Sequence, residues 1–195
     1  MADEFASSRR RLTRDDWIAA ALTAIGEAGV GAVAVEPLAT RLGATKGSFY
    51  WHFANRDALL EAALQAWEAA TTTDIFDEVE RSTSDPAEQL RLLVSRVVAN
   101  AETDPVEPAL YAGAAHPVVG AALSRVTRHR IDGTVRIFVR MGLRPAQARH
   151  HALLAYSLYL GYGQLVRVTP EVLPQGRAAM REYLETVLRT LGPSV

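Results

Sequence analysis

Apolar residues recur along this chain at the spacing that aligns them on one face of an α-helix. Near the N-terminus, Trp17, Ala21 and Ile25 fall at four-residue intervals, Thr13 before them suits an N-cap, and Gly29 after them suits a helix end. No segment alternates apolar and polar residues with the two-residue period of a half-buried strand. The pattern therefore predicts an all-α fold that begins with a helix over about residues 13–29.

The later apolar stripes, separated by glycine and proline, raise the expected total to about nine helices. We expect an N-terminal three-helix head, residues 1–54, in which residues 1–12 form a disordered arm. Residues 55–195 are expected to form a larger C-terminal helical bundle. The helices predicted after the first cover about residues 36–42, 45–53, 55–81, 85–103, 106–116, 117–141, 146–168 and 176–191.

A short stretch from Gly43 to Phe53 separates buried from exposed positions most clearly. Gly43 suits a turn with positive φ, and Thr45 suits an N-cap. Phe49 and Phe53 are four residues apart, so they share one face that can be buried. Preceded by the short helix over residues 36–42, the stretch reads as the second helix of a helix-turn-helix. The residues left to point elsewhere are Lys46, Ser48, Tyr50, Trp51 and His52.

These residues carry a resemblance to a known family. The segment from Ala39 to Phe53, followed by the segment from Asn55 to Leu60, resembles the DNA-binding domain of TetR/AcrR-family transcriptional regulators. The resemblance implies that the second short helix enters the major groove of duplex DNA. Thr45, Lys46, Gly47 and Ser48 would then lie nearest to the bases. The residues expected to hold phosphates are Tyr50, Trp51, His52, Arg56 and Arg41.

Two of these assignments have alternatives. The imidazole of His52 can donate to a phosphate, or it can cap the end of its own helix by bonding the last carbonyl groups. The hydroxyl of Tyr50 can bond a phosphate, or its ring can be a half-buried part of the core of the head.

The charge pattern agrees with a reader of DNA. The net charge is −1, but residues 5–14 carry four arginines and no acid, and residues 40–56 carry three basic residues and no acid. Lys46 is the only lysine in the chain. Local basic patches on a nearly neutral protein are typical of DNA-binding proteins. The arginines of the N-terminal arm can reach phosphates or a minor groove, or they can serve as a solubilising tail.

Other chemistries find little support. The chain has no cysteine, which excludes disulfides and thiolate metal sites. His150 and His151 are adjacent and therefore face different ways on a helix, and neither His116 nor His129 has the spacing of a metal ligand pair. We predict no catalytic residues, no metal and no cofactor. The N-terminus lacks a secretory apolar segment, and we expect a cytoplasmic protein without a membrane span.

The helix over residues 146–168 is apolar on nearly all sides, so we expect a partner chain to cover part of it. This helix and the last one are predicted to pair with their copies in a homodimer, as a four-helix interface. The predicted interface residues are Leu158, Tyr162, Leu165, Met180, Tyr183, Leu184, Val187 and Leu188.

The resemblance also implies a small-molecule effector inside the helical body. Its expected lining, in which each residue can equally be plain core, is Trp67, Phe76, Leu93, Tyr111, His116, Phe138, Tyr156 and Tyr159. The predicted function is a one-component transcriptional regulator, expected to be a repressor, which binds palindromic operator DNA and is released by the effector. The alternative is a helical ligand-binding or protein-interaction module that does not read DNA.

Overall fold

The computed structural model describes residues 11–192, and over that range it confirms the all-α prediction: ten α-helices and no strand. The predicted arm, residues 1–12, lies outside the described residues except for its last two. No helix among residues 11–192 is long and apolar enough to cross a membrane. The helices are α1 Arg14–Ala28, α2 Val35–Arg41, α3 Lys46–Tyr50, α4 Arg56–Glu68, α5 Asp74–Ser82, α6 Pro86–Thr103, α7 Val106–Ala112, α8 Pro117–Arg140, α9 Pro145–Val168 and α10 Gly176–Leu191.

Local sequence signals set several of the helix starts. The Thr13 hydroxyl accepts from the backbone N–H of Asp16 at 3.2 Å, and the Asp16 carboxylate accepts from the backbone N–H of Thr13 at 2.7 Å, which is a capping box. Asn55 caps α4 through Ala58 at 2.9 Å, and Asp85 caps α6 through its bond to Ala87 at 3.0 Å. Each of these caps satisfies an N–H that has no partner inside its helix.

Helix α2 starts one residue before its predicted range of 36–42. It begins at Val35, and Pro37 is its third residue. The first N–H groups of a helix have no intrahelical partner, so a proline at this third position removes no hydrogen bond. The first backbone hydrogen bond of α2 runs from the Leu38 N–H to the Ala34 carbonyl at 3.1 Å.

The helix predicted over about residues 55–81 is interrupted. A π-helical segment, Ala69–Thr73, separates α4 from α5, which is why ten helices stand where about nine were expected. Thr71 donates its hydroxyl to the Trp67 carbonyl at 2.7 Å, and the Thr72 side chain is buried. A threonine hydroxyl that bonds the preceding turn competes with the regular backbone ladder, and this run contains three threonines.

The packing divides the chain into two compact units. Of the described residues, the first unit contains 11–66 together with 106–119, and the second contains 67–105 and 120–192. The predicted functional boundary between residues 54 and 55 stays a prediction. Helix α7 packs against α1 in the first unit. A Cβ atom at Gly113 would lie only 2.7 Å from a methyl carbon of Val30, so glycine allows this close approach.

The second unit has its own apolar core between α5, α6, α8, α9 and α10. Phe138 is fully buried there, and Leu90 and Ala152 are nearly so. Half-buried residues of α10 pack against the same cluster, among them Leu184 and Leu188. This core surrounds the cavity described below.

Candidate nucleic-acid interface and effector cavity

The turn between α2 and α3 has the geometry that its sequence predicts. Gly43 adopts φ +61°, a conformation that side chains disfavour. Thr45 is extended (φ −93°, ψ 156°), and its hydroxyl accepts from the Ser48 N–H at 3.2 Å. Two short helices joined by this turn form a helix-turn-helix.

One face of α3 anchors it to the first unit. Phe49 is fully buried and meets the Trp17 ring edge-on with 5.4 Å between centroids. Phe53, 4% exposed, stacks on Phe49 at 5.7 Å. Aromatic contacts of this kind fix the orientation of a short helix that has little stability of its own.

The rest of the α3 surface is open to solvent. Trp51 is 83% exposed and Tyr50 is 54% exposed, although the Tyr50 ring also touches Phe49 edge-on at 5.2 Å. The Lys46 side chain is 56% exposed. Thr45 and Gly47 are exposed, and Ser48 and His52 are half-buried. The residues predicted to read DNA therefore lie together on and beside one accessible surface of the first unit.

Two glutamates outside the predicted DNA-binding set lie against this surface. Lys46 donates to Glu36 across 2.8 Å, and Arg41 pairs with Glu27. The hydrogen bond to Lys46 and the lysine's charge lower the pKa of Glu36, and the same bond and the glutamate's charge raise the pKa of Lys46. An exposed pair of this kind is weak and is screened by salt, so a stronger anion can displace the carboxylate.

Arg56 has a structural role that its sequence position did not suggest. Its Nε donates to the Val33 carbonyl at 2.6 Å and its Nη2 donates to the Val30 carbonyl at 3.0 Å. Its Nη1 lies 3.1 Å from the Asp57 carboxylate. The half-buried guanidinium thus ties the start of α4 to the segment before α2, and contact with a phosphate remains only a prediction for it.

A cavity lies inside the second unit and is lined by α5, α6, α8, α9 and α10. Of the eight residues predicted to line an effector site, Phe76, Leu93, Tyr156 and Tyr159 line this cavity. The lining that the sequence reasoning did not name includes Thr71, Asn100, Arg130, Thr134, Tyr162 and Tyr183.

The other four predicted pocket residues lie elsewhere. Phe138 and Trp67 are buried but do not line the cavity. Tyr111 and His116 belong to the first unit. Ring size and helical spacing do not distinguish a residue of a cavity wall from a residue of solid core, which is why the predicted set includes these four residues that do not line the cavity.

Arg130 is a buried cation in the cavity wall, 8% exposed. Its Nε donates to Thr72 at 2.9 Å, and its Nη2 donates to the Thr71 hydroxyl at 3.2 Å. The guanidinium also lies 5.6 Å from the Trp67 ring centroid and 5.4 Å from the Tyr159 ring centroid. Stacking between rings and bonding to threonines hold this side chain in one orientation.

The predicted dimer residues fall into two groups. Leu158 and Leu165 on α9 are each 42% exposed, and Leu153, Leu154 and Val168 are exposed beside them. The other group is half-buried on α10: Met180, Tyr183, Leu184, Val187 and Leu188.

Tyr162, in contrast, is 4% exposed, and this burial removes it from the predicted interface. Its hydroxyl donates to Glu102 at 2.7 Å, and its ring stacks on Tyr183 at 6.0 Å. Burial and the Glu102 carboxylate raise the pKa of Tyr162, and burial raises the pKa of Tyr183. Both phenols therefore stay protonated at neutral pH.

No group of three or more acidic or histidine side chains within residues 11–192 could hold a metal ion. His151 lies 2.7 Å from the Leu191 carbonyl through its Nδ1, and His129 stacks on Phe76. These two histidines take part in the packing of the second unit.

Comparison with known proteins places the helix-turn-helix in a family. The family described as "Bacterial regulatory proteins, tetR family" matches residues 18–63. The chain is also similar to the tetracycline repressor protein class A from transposon 1721 of Escherichia coli, with 43% identity over 63 residues. That alignment covers 32% of this chain and 29% of the repressor, so it is confined to less than a third of either protein.

Solved structures extend the likeness to the whole fold. A transcriptional regulator from Rhodococcus sp. Rha1 superposes with a TM-score of 0.73 at 23% identity, covering 92% of this chain and 94% of that one. A TetR-family transcriptional regulator from Agrobacterium tumefaciens superposes with a TM-score of 0.71 at 18% identity, covering 92% and 97%. At these identities the likeness concerns the fold alone. The tetR-family match over residues 18–63, together with the all-helical fold shared with these regulators, supports a TetR-family regulator.

Proposed function

We propose that this protein regulates transcription by binding duplex DNA through α3. The observation that carries the proposal is that Phe49 anchors α3 to the first unit while Lys46, Tyr50 and Trp51 of the same segment stay exposed. A short helix held rigidly on one side and open on the other is the arrangement that fits a major groove. The proposal includes no catalytic step, and it requires the protein to be in the cytoplasm with the chromosome.

The contacts follow from where each side chain lies on that surface. Thr45 is the N-cap of α3, and Lys46 and Ser48 belong to its first turn. In a helix-turn-helix the N-terminal residues of the second helix contact the base edges. Gly47, which has no side chain, allows the backbone to approach the DNA closely. Tyr50, Trp51 and His52 at the far end, with Arg41 on α2, contact phosphates. Phosphate contacts position the protein, and base-edge contacts discriminate between sequences.

The active form is a homodimer that uses the exposed leucines of α9. Leu154 is 58% exposed and Val168 is 73% exposed, and three more leucines of the same helix are over 40% exposed. A row of exposed apolar side chains on one helix supports an isologous interface with a second copy. Two copies would place two α3 helices on a palindromic operator, about 34–36 Å or a multiple of that apart.

The cavity of the second unit would hold a small-molecule effector that lowers affinity for the operator. A ligand shifts such an equilibrium only by binding one state more tightly than the other. Repression is supported by the sequence match to a protein whose name is that of a repressor. The cavity walls are mostly aromatic and aliphatic, which favours an effector with a largely apolar body.

The test is binding of the purified protein to DNA from upstream of its own gene, searched for an inverted repeat. Fluorescence anisotropy would compare that duplex with a shuffled duplex between 50 and 200 mM salt. We expect tighter binding to the inverted repeat, and an affinity that falls as a power of the salt concentration because counterions are released from the phosphates. Equal binding to both duplexes, or affinity that does not change with salt, would contradict the proposal.

A further inference from the structure

The cavity of the second unit differs in polarity between its two ends. At one end Leu90 of α6 and Leu191 of α10 are both nearly completely buried. At the other end lie Asn100 of α6 and Tyr183 of α10. Asn100 is ten residues after Leu90, which corresponds to about 15 Å along a helix. The cavity is therefore elongated, and Asn100 and Tyr183, which belong to two facing helices, lie at the same end.

Further contacts locate that polar end. Tyr183 stacks on Tyr162 at 6.0 Å, and the Tyr162 hydroxyl reaches Glu102 at 2.7 Å. Glu102 is two residues beyond Asn100 on α6. The rings of Tyr162 and Tyr183 thus lie beside the α6 segment that contains Asn100.

Most polar groups of the lining are already engaged within the chain. Tyr162 donates to Glu102, the Tyr156 and Thr127 hydroxyls lie 3.0 Å apart, and Thr134 donates to the Arg130 carbonyl at 2.8 Å. The Arg130 guanidinium itself donates to Thr71 and Thr72. Because these polar atoms already bond within the chain, a ligand in the cavity contacts mainly the carbon atoms and ring faces of those side chains.

Asn100 and Tyr183 are the exception. Within residues 11–192, neither the Asn100 amide nor the Tyr183 hydroxyl has a hydrogen-bond partner, and both side chains line the cavity. Each has a donor to offer, an amide N–H from Asn100 and a phenolic O–H from Tyr183. Two donors at one end of a mostly apolar cavity match a single acceptor atom with two lone pairs.

We infer that the cavity binds an uncharged, elongated apolar molecule with one carbonyl group near its end, whose oxygen accepts from Asn100 and Tyr183. The apolar body lies along α6 and α10 toward Leu90 and Leu191. This inference rests on the proposed function, in that it names the class of effector for the proposed effector site. It favours a neutral ketone, ester or lactone over a carboxylate, because the Arg130 guanidinium in the cavity wall already donates its hydrogen bonds to Thr71 and Thr72.

The test uses the full-length protein and isothermal titration with 2-heptanone, 2-nonanone and 2-undecanone, each compared with the carboxylate of the same chain length. We expect at least one ketone to bind about ten-fold more tightly than its carboxylate. Tyr183→Phe removes only the hydroxyl, and Asn100→Leu removes the amide; each is expected to weaken ketone binding about five-fold to ten-fold. Gln65→Leu, at an exposed position on α4 outside the cavity, makes a matched polar-to-leucine change and should leave ketone affinity unaltered.

Thermal unfolding of each variant would confirm that it is folded, and Tyr183→Phe keeps the ring that stacks on Tyr162. The inference is overturned if no ketone of the series binds, if a carboxylate binds as tightly as its ketone, or if both variants bind like the wild type. DNA binding by the ligand-free protein is a separate readout. Loss of ketone binding with intact operator binding would remove this inference alone, whereas failure of operator binding would remove the proposed function.

Discussion

The ammonium group of Lys46 lies 2.8 Å from the carboxylate of Glu36. Lys46 begins α3, and Glu36 is in the first turn of α2, so the two short helices of the helix-turn-helix are joined at their surface by opposite charges. In the proposed complex, DNA would compete with Glu36 for the lysine. The carboxylate would then occupy the place of a phosphate or of an acceptor on a base edge, and it would weaken binding to a duplex that offers no stronger acceptor.

Glu36→Gln should raise affinity for non-operator DNA by several-fold and for the operator by less. The substitution removes the competing charge, and the gain is electrostatic and sequence-independent. Glu80→Gln, at an exposed position on α5 in the other unit, changes the net charge equally and serves as the control. Anisotropy titrations with both duplexes would measure the ratio of affinities. If Glu36→Gln and Glu80→Gln behave alike, the pair has no role in discrimination.

Lys46→Ala should weaken operator binding and lower the slope of log affinity against log salt by about 1, because one cation leaves the interface. Its melting temperature should match that of the wild type, because the side chain is exposed and its one ion pair is weak. The measurement is a salt series of anisotropy titrations alongside a thermal melt. An unchanged slope at unchanged affinity would remove Lys46 from the DNA interface.

Phe49→Ala should destabilise the protein by about 3–5 kcal/mol, the usual cost of emptying a fully buried phenylalanine site. The side chain contacts Trp17, Tyr50 and Phe53, so the loss would free α3 from its anchor. Urea unfolding followed by circular dichroism would measure the change. Phe49→Leu retains most of the buried volume and should cost less than half as much; equal losses for the two variants would argue against a packing role.

Arg56→Gln distinguishes a structural role from a DNA contact. We expect it to lower the free energy of unfolding by about 1–2 kcal/mol, because the carbonyl groups of Val33 and Val30 lose charged donors. Chemical unfolding would measure that loss. The salt slope of operator binding should stay within error of the wild-type value. A lower slope with unchanged stability would instead assign Arg56 to a phosphate.

Leu154→Glu should convert the dimer to monomer, because it places a charge within the exposed apolar row of α9. Light scattering after size-exclusion chromatography would measure the mass. Val172→Glu, on the short 3-10 turn after α9, is the control because Val172 is comparably exposed at 63%. A Leu154→Glu protein with the wild-type mass would contradict the proposed interface.

Features set by residues within a few positions of each other could be predicted from the sequence. Thr13, Thr45 and Asn55 each cap a helix because the N–H they accept from is three residues away. The burial of Phe49 and Phe53 follows from the helical period alone. The buried residues that anchor α3 and the exposed residues beside them could therefore be predicted from the helix cap and the helical period.

Contacts between distant segments escaped prediction for a physical reason. Arg56 bonds a carbonyl 23 residues away, and Arg130 bonds Thr72 across 58 residues, so no local pattern marks either arginine. Counting charges along residues 40–56 showed no acid, whereas folding brings Glu36 against Lys46. Tyr156 lines the cavity and Phe138 fills solid core, although both are aromatic residues of apolar helices.

Methylation protection of guanine N7 on the operator tests most directly whether α3 enters the major groove, since N7 is exposed only there. Wild-type protein should protect guanines in two half-sites about one helical turn, or a multiple of it, apart. Lys46→Ala, at concentrations that saturate the duplex, should lose protection at one guanine position in each half-site. Protection confined to phosphates and sugars, with every guanine N7 reactive in the saturated complex, would contradict the account.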